Sequence, residues 1–166
     1  MLSNISRLLP YVLYLFLIAF HQTLVGDLFA IWGVDISSGA LAIMLVALYK
    51  PQTVAVWFGA AVALLITSGD SIAAAITMVI ASSLAVGAEY FKGRLNLESM
   101  TARLSVVFVG CLVFETTAAL LFSGTGLVYM WFRFTIPTVV YTTLWGALFF
   151  MVKDGVISRA RFTKLF

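Results

Sequence analysis

The sequence predicts an all-α integral membrane protein of six transmembrane helices, two of them short, with both termini on the cytoplasmic side. Three observations carry this reading. The 166 residues are 63% hydrophobic and 10% charged, with a mean hydropathy of +1.09, whereas soluble domains carry about 25% charged residues. At about 20 residues per crossing, the length allows five or six spans and no soluble domain. The basic residues are also sharply sorted. With the N-terminus inside, the cytoplasmic segments hold Arg7, Lys50, Lys92, Arg94, Arg103, Lys153, Arg159, Arg161 and Lys164, and only Arg133 of the ten Lys and Arg falls outside. Positive charges on short loops are retained in the cytoplasm, and five spans would strand one basic end. The chain is therefore expected to cross a membrane several times.

The six spans are 8–28, 37–49, 55–67, 71–91, 102–123 and 134–152. The first begins like a signal peptide, with Arg7 ahead of an apolar run, but no small-x-small cleavage site comes after it, so it reads as an uncleaved span. Span 37–49 would reach only about 20 Å at 1.5 Å per residue, short of the roughly 30 Å hydrocarbon core. Either Asp35 and Lys50 snorkel to a thinned bilayer, or spans two and three form a re-entrant pair. Pro51 ends span two, because the residue before a proline is driven out of the helical region. Segments 68–71 and 123–133 are expected outside. Residues 1–152 form the transmembrane domain. Residues 153–166 set Val156, Ile157, Phe162, Leu165 and Phe166 among Arg159, Arg161 and Lys164, the pattern either of a basic amphipathic helix on the lipids of the inner membrane face or of a disordered basic tail that only fixes topology.

Spans three and four carry small residues at every fourth position: Ala55, Gly59, Ala63 and Thr67 in one, Ala73, Thr77, Ala81 and Ala85 in the other. Four-residue steps stay on one helix face. In lipid such ridges let backbones approach closely, so these residues form either an internal packing seam or a surface for a partner helix. The turn between them, Ser68-Gly69-Asp70-Ser71, supplies side chains that can cap free helix ends.

Two ionisable residues fall inside spans, His21 and Glu115, each about 20 Å from the cytoplasmic end at 1.5 Å per residue. Such groups face the bundle interior or a partner. His21 could pair with Glu115, a neutral Glu115 could hydrogen-bond Thr116, Thr117 or a backbone carbonyl, and Arg133 is a rival partner for Glu115. The sequence offers no enzyme: one His, one Cys (Cys111, mid-span) and no metal-ligand spacing leave no nucleophile–base set. Gly124-Thr125-Gly126 is a lone doublet and not a phosphate loop. No cofactor is expected, and nothing supports nucleic-acid binding. Trp32, Tyr129, Trp131 and Phe132 suit an interfacial belt.

Several stretches together resemble the MreD family of rod-shape-determining proteins. They are Gln22-Thr23-Leu24, Ile31-Trp32-Gly33-Val34-Asp35, residues 41–49, Phe58-Gly59 to Leu64-Leu65, Ile136-Pro137-Thr138-Val139-Val140-Tyr141, and the basic tail. Val34 stands where that family usually has proline. Ala63 replaces a glycine, and Thr67 an aspartate, in its Gly-Leu-Leu-x-Asp step, with Asp70 three residues on. The resemblance implies a multi-pass protein of the bacterial inner (cytoplasmic) membrane, a non-enzymatic scaffold subunit of the cell-elongation, peptidoglycan-synthesising machinery. Such a subunit binds an MreC-like membrane protein and helps couple MreB filaments to RodA and a class B penicillin-binding protein. The six-span shape is also similar to the substrate-binding S components of energy-coupling-factor vitamin transporters. That rival needs convergent polar groups, for which Asp70, Arg133, Trp131 and Tyr129 are the candidates.

Overall fold

The computed structural model describes residues 2–25, 30, 33–67, 70–95, 97–122 and 126–155. The predicted tail 153–166 lies almost wholly outside them, as do Asp27, Trp32, Ser68 and Gly69. The fold is all-α, with no strand among the described residues. Three helices are long and apolar enough to cross a membrane: α4 (Ser71–Lys92), α5 (Met100–Phe122) and α6 (Leu127–Lys153). Three more are apolar and shorter in the same sense: α1 (Leu2–Phe20, continued by a π turn over His21–Val25), α2 (Ser38–Tyr49) and α3 (Gln52–Ile66).

The shortest helix is the hub. Each of the other five packs against α2, and Gly39, Ala40, Ile43, Met44, Val46, Ala47 and Leu48 are buried. A helix apolar on every side is one that expects to be surrounded. The 12 residues that make α2 short as a span make it suited to the middle of the bundle. Lys50 is extended, with φ −121° and ψ 162°, as the residue before Pro51 must be. The pair α2–α3 therefore folds back at Lys50-Pro51.

Among the described residues the seam between α3 and α4 is the most extensive. Ala55, Gly59 and Ala63 face Ala73, Thr77, Ala81 and Ala85, all buried. A Cβ on Gly59 would lie 3.3 Å from the Ala81 carbonyl oxygen, so glycine is what lets the two backbones meet. Dispersion over that contact holds the pair where lipid offers no hydrophobic drive. The reversal is fixed by Asp70, whose carboxylate accepts from the amides of Ile72 and Ala73 at 2.9 and 3.0 Å, a helix N-cap.

One boundary moves. The segment 123–133, expected as a loop, is helical from Leu127 onward. Pro137 has no N–H, and its ring crowds the carbonyl four residues back, at Arg133. A π turn over Trp131–Thr135 accommodates it, and α6 becomes one helix of 27 residues with its aromatic girdle on the first turns. Gly126, at φ +96°, opens that helix in a conformation disfavoured for side chains with a Cβ.

Candidate functional site

Two polar groupings stand at opposite ends of α2. At its N-terminal end, the Ser37 amide donates to Thr142 Oγ1 of α6 at 3.0 Å. Glu115 of α5 lies beside the Ser37 hydroxyl. A carboxyl at this position faces the positive end of the α2 dipole. Cys111, one turn earlier on the same face, is fully buried. Around them Trp131 Nε1 donates to Thr116 Oγ1 at 2.9 Å, and Thr117 Oγ1 donates to the Val113 carbonyl at 2.6 Å.

This arrangement corrects three expected pairings. Thr116 and Thr117 are engaged elsewhere, and the hydroxyl beside Glu115 is that of Ser37. Arg133 donates to the Tyr129 hydroxyl at 2.6 Å and lies over the Tyr129 and Phe134 rings; among the described residues no ion pair joins it to Glu115. His21 does not bond Glu115. Its ring sits against α2 in a cavity shared with Ser38 and Trp145, and neither ring nitrogen has a hydrogen-bond partner among the described residues. His21 is the first residue of the π turn that continues α1.

At the other end, Arg103 of α5 is 8% exposed and clamps three elements. Its guanidinium donates to both oxygens of Asp154, one at 3.0 Å, and to the Tyr49 hydroxyl at 3.0 Å. Its plane also covers the Phe150 ring. Two parallel bonds from a fork to a carboxylate are the strong form of this contact. The donated hydrogen bonds hold the Asp154 carboxyl below the usual carboxylate range. Lys153 lies 2.9 Å from the centre of the Tyr49 ring. Lys92 pairs with Glu89 at 2.8 Å and donates to the Lys50 carbonyl at 2.6 Å, satisfying a backbone group at the end of α2. Lys50, Lys92, Arg103 and Lys153 thus gather at one end of the bundle, and Arg133 stands at the other.

The ridge residues Gly59, Ala63, Ala73, Thr77, Ala81 and Ala85 are all used inside the chain, and Thr67 donates to the Ala63 carbonyl at 2.6 Å. A partner helix would have to displace α3 from α4 to reach them, so the partner-surface reading of the ridge gives way to the packing one. The Arg103–Asp154–Tyr49 clamp does not stand out in the sequence, where Arg103 reads only as a topological charge. The available signal is that Arg103 falls within a helix and that Asp154 is the one acid in a basic terminus. Among the described residues no three His, Cys, Asp or Glu side chains gather as metal ligands. Compared with protein-family models, with curated proteins and with solved structures, the chain matches none of them.

Proposed function

We propose that this chain is a non-catalytic scaffold subunit of the bacterial cell-elongation machinery, resident in the cytoplasmic membrane with six spans and both termini inside. It would bind an MreC-like membrane protein through its helix faces and, through that assembly, link MreB filaments to RodA and a class B penicillin-binding protein. The observation that supports a scaffold best is the division of its surfaces. Small residues are consumed inside, while large apolar side chains point outward: Trp57 of α3 is 78% exposed, Ile72 of α4 73% and Val79 of α4 67%. Those faces, and not the closed ridge, are where a partner helix would lie, packing by dispersion in lipid. The gathering of Lys50, Lys92, Arg103 and Lys153 at one end supports placing that end in the cytoplasm.

Single-cysteine variants test both parts. Asp70→Cys should label from outside, and Arg159→Cys only after permeabilisation. Cysteines replacing Phe16, Trp57 or Val79 should crosslink in native membranes to a second membrane protein of the elongation machinery. If all three yield only adducts with unrelated proteins, or none, the scaffold reading fails. The S-component reading draws on the cavity beside His21 and Ser38; a vitamin copurifying stoichiometrically would favour it.

A further inference from the structure

Between α1, α2 and α6 lies a cavity of about 260 Å³, lined by Tyr14, Leu17, His21, Ser38, Leu41 and Trp145 among others. A second cavity of about 180 Å³ continues from it, sharing Tyr14, Ala42 and Leu45 and reaching Tyr49 and Lys50. Together they form one groove along the length of α2, about 18 Å at 1.5 Å per residue. Its polarity is graded. At the Ser38 end, both ring nitrogens of His21 and the Ser38 hydroxyl are buried with no hydrogen-bond partner among the described residues. Native folds seldom leave such groups unmet, and each calls for a partner. The middle of the groove is hydrocarbon: Leu41, Ala42 and Leu45.

The occupant must therefore be slender, apolar along most of its length and oxygen-bearing at one end. Water would answer His21 and Ser38 but would not fill an apolar channel. A transmembrane helix is about 10 Å across, too thick to enter while α1 remains against α2 and α3. We propose that the groove holds one acyl chain of a membrane glycerophospholipid, its ester and glycerol oxygens hydrogen-bonded by His21 and Ser38 and its tail running toward Tyr49. His21 can donate to an ester carbonyl through one nitrogen and accept from a hydroxyl through the other, and Ser38 can do either.

The test reconstitutes the full chain in phosphatidylethanolamine–phosphatidylglycerol vesicles holding a trace of phosphatidylglycerol with a diazirine in its acyl chain. After illumination, labelled peptides are mapped by mass spectrometry. Label should concentrate on Tyr14, Leu41 and Leu45. It should fall about tenfold there when His21→Phe and Ser38→Ala are combined, the factor expected for losing the anchoring hydrogen bonds, and recover with His21→Asn. Leu45→Trp, which fills the channel, should abolish it. The wild-type pattern decides without any variant: label spread evenly over the exposed Val12, Phe16 and Val79 overturns the proposal. A water-soluble molecule retained in the groove overturns it too, and points to the transporter reading instead.

Discussion

The α3–α4 seam and the α1 seam are built from equally apolar sequence and packed in opposite ways. In the first, Gly59 and Ala81 bring backbones together and no large side chain intervenes. In the second, Tyr14, Leu17, Leu41 and Leu45 hold the helices apart, and cavities remain between them. Hydrophobicity does not distinguish these regions, because lipid is as apolar as leucine. What distinguishes them is the size of the side chains at the four-residue steps. Small residues make a closed seam with nothing left to bind, and mixed large ones make a loose seam with room to bind something.

That contrast can be broken hardest at Gly59. Gly59→Leu should lower stability in detergent by about 3 kcal/mol, because the obstruction is the Ala81 backbone and not a side chain that can turn away. A change under about 0.5 kcal/mol, the scale of neutral surface substitutions, would show that the seam is not close-packed. Next in size is Arg103→Ala, expected to cost about 1–2 kcal/mol through the lost Tyr49 bond and the guanidinium lying over Phe150. Asp154→Asn should cost less, since Asp154 stands in solvent, where ion pairs are screened. Acid should act through the same clamp. Asp154 titrates below its ordinary range when folded, so its contribution is present above the unfolded value and is lost as pH falls through the folded one. A thermal-stability profile that drops under acid should flatten in Asp154→Asn; identical profiles would exclude the clamp. The smallest effect belongs to the loose side. Val12→Ala and Leu13→Ala, on side chains 60% and 55% exposed, should each change detergent stability by no more than about 0.5 kcal/mol.

The helices themselves are legible in the sequence, because apolar runs between charges leave few other outcomes in lipid. The α3–α4 seam is equally visible in the spacing of Gly59, Ala63, Ala81 and Ala85, although whether it faces inward or outward is not. Three things escape for definite physical reasons. Local pattern gives no sign that α2 is central, since burial on all sides reads the same as exposure to lipid on all sides. Depth counted at 1.5 Å per residue gives His21 and Glu115 similar heights but not the direction each side chain takes, and His21 lines the crevice with Ser38 and Trp145 while Glu115 lies beside Ser37. The Arg103–Asp154 pair joins residues 51 apart in sequence, and no periodicity reports a contact of that kind.

The bond from Ser37 to Thr142 spans 105 residues and sets an order of assembly. A chain made from its N-terminus has α2, α3 and α4 long before α6 exists, and their seams can close as neighbours. The amide at the head of α2 has no such neighbour and waits for the last helix to leave the ribosome and the insertion site. Helices near in sequence can pair early, while contacts across the whole chain come late because more chain must be ordered first. A ribosome stalled before Thr142 should therefore carry a paired α3–α4 unit and an α2 whose leading turn is still unsettled, and release of α6 is the step that locks it.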